Sequence, residues 1–201
     1  MNEAIDTTRK YTYADYVTWP DDERWEIIDG EPYAMTPAPS EEHQDAAGLL
    51  YGALMTSLAG KSRRPFVAPF DVILDAEPGD ERLDDSYDIV QPDVLVVCNP
   101  KQVGRGFCAG PPSFVAEVLS PSSTSRDFLK KRELYGRYGV AEYWILDPAA
   151  KKITVFRLGE DKSFGQERDY GKDETIAPLC APDAPMNVGD LFVFGDWAGE
   201  G

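Results

Sequence analysis

Apolar positions in this chain fall into short blocks whose period changes along the sequence. Val94-Leu95-Val96-Val97 is an unbroken aliphatic run, the pattern of a strand covered on both faces, and Phe114 to Leu119 is a second run broken only by Glu117. The connection between them, Asn99 to Pro112, shows no helical period and gathers two glycines and two prolines in its last seven residues. It therefore predicts an antiparallel return rather than a crossover helix. An antiparallel pair sets the start of one strand beside the end of the next, so Asp93 and Glu117 are expected to converge on one edge of the sheet.

Helical spacing flanks this pair. Leu50, Leu54 and Leu58, at four-residue steps, mark the buried face of a helix capped near Ser40 and running to Leu58. A basic helix follows Ser120-Pro121-Ser122-Ser123. With Phe128 at 0°, Tyr135 falls at about 340°, Lys131 at about 300° and Tyr138 at about 280°, which puts Lys131 on the aromatic inward face. Lys130 at about 200° and Arg137 at about 180° point outward.

Elsewhere, Thr12 to Trp19 predicts a short amphipathic helix and Trp25 to Met35 a hairpin turning at Asp29-Gly30. Thr36 to Ser40 is a Pro-rich loop, Arg64 to Leu74 a strand carrying Asp71, and Asp75 to Asp88 a solvated acidic loop. Glu142 to Leu146 and Ile153 to Leu158 are strands about a turn, Phe164 to Tyr170 adds another, and Leu191 to Phe194 is the last apolar segment. The succession helix, three strands, helix, strand is α/β, a mixed central sheet flanked by helices. An added N-terminal hairpin and C-terminal strands extend it.

Length and composition fit one domain over residues 1–201 with a core near 40–147: the chain has 201 residues and 42% apolar content, enough to bury about 70% of the unfolded surface. No apolar run approaches the roughly 20 residues of a membrane span, and the first ten residues are polar, so no membrane association and a cytoplasmic location are expected. Three cysteines and a single histidine, without metal-site spacing, support neither a disulfide framework nor a zinc site.

Charge complicates the chemistry. A formal net charge of −16 and a pI near 4.4 repel phosphate backbones. Yet residues 126–137 carry five cations (Arg126, Lys130, Lys131, Arg132, Arg137) against two acids, and Lys61, Arg63, Arg64, Lys101 and Arg105 could extend that patch. Asp93 and Glu117, at strand ends, are candidates to share a hard divalent cation, or else acids that merely cap and solvate. Lys131 is a candidate transition-state cation, or else a stem with its ammonium in water or an ion pair with Asp127 one turn away.

These residues and their neighbours resemble a known family. Pro92-Asp93, Glu117-Val118-Leu119-Ser120-Pro121-Ser122, Arg126-Asp127 with Lys131 and Tyr135, Gly139-Val140-Ala141-Glu142-Tyr143-Trp144 and Asp147-Pro148 look like the Uma family of bacterial proteins described as restriction endonucleases, a branch of the PD-(D/E)XK nuclease superfamily. Trp25-Glu26-Ile27-Ile28-Asp29-Gly30-Glu31 and the Pro-rich lead to His43 match as well, so the likeness runs from Tyr11 to Tyr170. It implies a restriction-endonuclease-like fold and a Mg²⁺- or Mn²⁺-dependent endonuclease. Asp93, Glu117 and Lys131 would be catalytic, with Asp93 and Glu117 holding the metal. Glu26, His43 and Asp71 are candidates for the edge of the site, and Arg126, Lys130 and Arg132 for nucleic-acid contacts. The superfamily pattern asks for a lysine two residues after the glutamate, where this chain has Leu119; the resemblance implies that Lys131 replaces it.

Two other functions remain open on the same residues. One is an inactive nuclease-fold binding module, favoured by the acidity and Leu119. The other is a metal-dependent hydrolase of a small phosphoester, which needs no DNA-sized basic surface. The expected partner is nucleic acid, DNA first, and cutting both strands of a duplex makes a two-fold homodimer attractive.

Overall fold

The computed structural model describes residues 5–20, 23–35, 40–79, 83–120 and 125–193, without the side chains of 125–127. The helices are α1 (Tyr13–Tyr16), α2 (Glu41–Ser57) and α3 (Ser125–Tyr138). A smaller sheet contains β1 (Trp25–Ile28), β2 (Glu31–Ala34), β4 (Asp71–Ile73), β5 (Ile89–Val90) and β7 (Phe107–Ala109), in the order β2-β1-β5-β4-β7. A larger one contains β3 (Arg64–Val67), β6 (Val94–Val97), β8 (Phe114–Val118), β9 (Glu142–Asp147), β10 (Lys152–Arg157) and β11 (Arg168–Gly171), in the order β11-β10-β9-β8-β6-β3. A short pair, β12 (Thr175–Ile176) and β13 (Met186–Asn187), follows. The architecture is mixed α/β with helices on the sheet faces. No helix among the described residues is long and apolar enough to cross a membrane.

Local signals set the elements. Ser40 caps α2 by accepting from the His43 backbone N–H, and Glu41 and Glu42 complement the dipole in the first turn. The β1–β2 hairpin turns through Asp29 (φ 52°) and Gly30 (φ 76°), the two left-handed positions that a tight primed turn requires. β6 and β8 pair antiparallel, while β8 and β9 run parallel with α3 as their crossover.

Alternation along the buried strands builds two cores. Val94, Val96, Phe114, Ala116, Val118 and Trp144 face α2 through Leu50 and Leu54. Leu95, Val97, Val115 and Tyr143 face the other way, against Leu134 and Tyr135 of α3 and Val72 and Val90 of the smaller sheet.

Four expectations are corrected. Arg64 to Leu74 is not one strand: β3 lies in the larger sheet and β4 in the smaller, broken where Pro69 offers no N–H to a ladder and the Phe66 and Phe70 rings stack 4.2 Å apart. The return between β6 and β8 is antiparallel but contains a turn at Pro100–Gln102 and β7, which joins the smaller sheet parallel to β4. The acidic loop is not wholly solvated, since buried Asp88 accepts from the Asp29 N–H and the Tyr138 hydroxyl. The strand expected at Phe164 to Tyr170 shortens to Arg168–Gly171, and Leu191 and Phe192 lie buried in a tight turn, Gly189–Phe192, with Phe194 outside the described residues.

Candidate active site

β5 and β6 are consecutive strands in different sheets, so Gln91-Pro92-Asp93 forms a corner between the layers. Pairing of Val94 with Ala116 and Leu95 with Val115 sets Asp93 opposite Glu117, where facing residues of an antiparallel ladder project to one side. Asp93 Oδ2 accepts from the Val118 N–H at 2.8 Å and lies 3.2 Å from His43 Nε2. Glu117 is 5% exposed, and its Oε1 accepts from Lys131 Nζ at 2.8 Å and from the Tyr135 hydroxyl at 2.7 Å. Lys131 Nζ also donates to Glu26 Oε1 at 2.8 Å, and that oxygen takes the Gln91 N–H at 2.9 Å.

Five elements thus meet at the corner. Lys131 and Tyr135, one turn apart, project from one stripe of α3 onto a single glutamate oxygen. Glu26 comes from β1 of the smaller sheet, and His43 from the first turn of α2.

Burial dominates the electrostatics. It raises the Glu117 pKa, the Lys131 ammonium pulls it back, and the Asp93 and Glu26 charges push it up again. Burial alone would lower Lys131, but Glu117 and Glu26 outweigh it and hold the ammonium charged. His43 behaves likewise: burial lowers its pKa, and the hydrogen bond and charge of Asp93 more than restore it. Burial, and then the Glu117 charge, keep the Tyr135 hydroxyl protonated as a donor.

Among the residues expected at the site, Asp93, Glu117, Lys131, Glu26 and His43 come together. Asp71, on β4 of the sheet that carries Glu26, is linked to the corner only through Gln91: its Oδ1 accepts from the Tyr16 hydroxyl at 2.9 Å and Gln91 Nε2 at 2.8 Å. Lys130 does not point into solvent: it is half-buried over the Tyr33 ring, 4.5 Å from the centroid, and donates to that hydroxyl. Arg132 stacks 4.8 Å over Phe156 on the other flank of α3, so these two cations do not form one face. The Arg126 side chain lies outside the described residues. Arg64 pairs with Val97, which sets the Lys61, Arg63 and Arg64 cluster beside an open cleft at the opposite end of β6 from Asp93, not next to α3.

Three participants are not singled out by sequence pattern: Tyr135 as a donor, Gln91 as the corner's anchor, and Arg24, whose Nε donates to Gln91 Oε1 at 2.9 Å. The spacing of Arg24 two residues ahead of Glu26, in the extended segment leading into β1, is the available signal.

The donor set fits a hard cation. Two carboxylates, Glu26 and Glu117, meet one ammonium, a third, Asp93, stands opposite Glu117 in the β6–β8 register, and Asp93 Oδ1 and Glu117 Oε2 carry no hydrogen bond among the described residues. Among the described residues no group of three or more His, Cys, Asp and Glu side chains is placed to hold a metal ion. Protein ligation at the corner would therefore be limited to two carboxylates, and water would have to complete the shell, as Mg²⁺ tolerates.

The fold is a mixed α/β architecture with a buried cluster of carboxylates and a lysine at the corner between its two sheets. The chain belongs to the Uma2 family, described as "Putative restriction endonuclease", whose family model matches residues 13–188. A crystal structure from Anabaena variabilis ATCC 29413, described as "a putative nuclease belonging to DUF820", has the same fold: TM-score 0.71 over 89% of this chain and 96% of that one, at 16% identity. No curated protein matches this chain.

Proposed function

We propose that this protein is a divalent-metal-dependent endonuclease that hydrolyses phosphodiester bonds of nucleic acid, DNA first. The observation that carries this reading is the contact of Lys131 with Glu117 at 2.8 Å, opposite Asp93 in the β6–β8 register. Asp93 and Glu117 would hold Mg²⁺ or Mn²⁺, which when bound polarises the phosphodiester and lowers the pKa of its water. Lys131, reached from α3, would take the part of the lysine that the superfamily pattern sets at Leu119. Its ammonium, kept charged by Glu117 and Glu26, offsets negative charge that develops on the phosphoryl oxygens. Tyr135 and Glu26 hold Glu117 and Lys131 in place, and His43 orients Asp93.

Nicking of supercoiled plasmid tests the reading. Cleavage is expected with Mg²⁺ or Mn²⁺ and not with EDTA, and it should disappear in Glu117→Gln and fall steeply in Lys131→Met. Absence of cleavage by the parent with either metal, or full activity of Glu117→Gln, would overturn it. A second reading, hydrolysis of a small phosphoester at the same site, is favoured by one observation: Lys130 and Arg132 occupy opposite flanks of α3 instead of forming a continuous basic track. Cleavage of a chromogenic phosphodiester without plasmid nicking would select it. Cutting both strands would draw two copies into a two-fold dimer, which light scattering in the presence of DNA would detect.

A further inference from the structure

Two enclosed nitrogens near the corner have no hydrogen-bond partner among the described residues: Nη2 of Arg24 and Nδ1 of His43. Arg24 lies just ahead of β1, two residues before Glu26, and is half-buried. Its Nε is committed to Gln91 Oε1, which fixes the guanidinium plane, while its Nη1–Nη2 edge meets no acceptor among the described residues. The Arg24 charge is felt by Asp71, on the other side of the Gln91 amide, but no carboxylate oxygen is hydrogen-bonded to the fork among the described residues, which leaves Nη2 open to an acceptor from outside. His43 is engaged with Asp93 through Nε2, so its Nδ1 is turned away from the carboxylate. Gln91, which Arg24 holds, stands two residues before Asp93, the partner of His43, so both groups flank the same corner.

The acceptor that suits the Arg24 fork is a tetrahedral oxyanion. A planar guanidinium edge presents two parallel N–H donors at the spacing of two phosphate oxygens. We propose that Arg24 binds a backbone phosphate of the substrate strand adjacent to the one at Asp93 and Glu117. This rests on the phosphodiester reading above. Arg24 reaches the strand rather than the reacting atoms, so it is a positioning residue that sets which bond enters the site.

His43 is the only histidine of the chain, so its imidazole resonances are a unique reporter. In EDTA, titration with a thymidine hexanucleotide should shift the His43 signals saturably in the parent. Arg24→Ala should weaken this binding about ten- to hundredfold, the loss expected for a charged hydrogen-bonded contact. Arg24→Lys, which keeps the charge but not the fork, should fall between. The slope of log affinity against log salt should flatten by about 0.7 in Arg24→Ala, one single-strand phosphate contact. In the metal-loaded enzyme, Arg24→Ala should raise KM and leave kcat nearly unchanged. Unshifted His43 signals in the parent, or parent affinity and salt slope in Arg24→Ala, would overturn the proposal. A shift with inorganic phosphate alone would overturn the strand assignment. Arg24-dependent binding in a parent that cleaves nothing would keep the phosphate site and end the nuclease reading, whereas cleavage indifferent to Arg24 would do the reverse.

Discussion

Glu117 owes its position to two donors on one oxygen, and only one of them was legible in the sequence. The helical phase of Lys131 follows from the aromatic spacing of α3, but a tyrosine on a packed face looks the same whether or not its hydroxyl reaches an acid. Tyr135→Phe should therefore keep the ring packing and lower stability by about 1–3 kcal/mol, measured by urea unfolding, because Glu117 Oε1 loses a buried donor. An unchanged midpoint would show that the hydroxyl contributes nothing. Asp71 offers a test by pH. Burial raises its pKa, so the folded chain keeps a proton that the unfolded chain has released, and parent stability falls as pH rises from the ordinary carboxylate range through the raised folded value. Asp71→Asn retains acceptance from Tyr16 and Gln91 without that penalty. Its melting temperature should match the parent below about pH 4 and exceed it increasingly toward neutrality; a difference independent of pH would contradict the assignment.

At the scale of elements, the convergence of Asp93 and Glu117 was readable because an antiparallel return fixes which strand ends meet. The sheet-to-sheet corner was not. Periodicity reports that a segment is extended, not which sheet it joins, and Arg64 to Leu74 keeps an extended pattern across the Pro69 break that divides β3 from β4. Gln91 locks the matching corner on the neighbouring strand: its backbone N–H goes to Glu26, its Oε1 to Arg24, and its Nε2 to Tyr16 and Asp71. No polar residue in a strand pattern announces such a role. Gln91→Ala leaves buried partners unpaired and should cost about 2–4 kcal/mol in chemical denaturation. It should also reduce metal-dependent cleavage at temperatures where the variant is still folded, because Asp93 follows two residues later. Loss of stability with full activity would separate the corner from the site.

For the whole molecule, a net charge of −16 was read as an argument against phosphate binding, and the structure shows where that argument loses force. Two of the acids, Glu26 and Glu117, meet Lys131 and a third, Asp93, stands opposite Glu117, where they are candidates to neutralise a divalent cation rather than to repel a strand. The remaining acidity still acts on the fold as self-repulsion. Raising NaCl from 0.01 to 0.15 M, which shortens the screening length from about 30 to about 8 Å, should raise the melting temperature of the metal-free protein. A molar excess of Mn²⁺ should raise it further by binding only the folded state. The most direct measurement is a crystal structure with Mn²⁺, located by its anomalous signal. The account predicts one ion between Asp93 and Glu117, about 2.0–2.6 Å from an oxygen of each, and none there in Glu117→Gln. An ion bound elsewhere, or the two carboxylates turned apart with no ion between them, would contradict it.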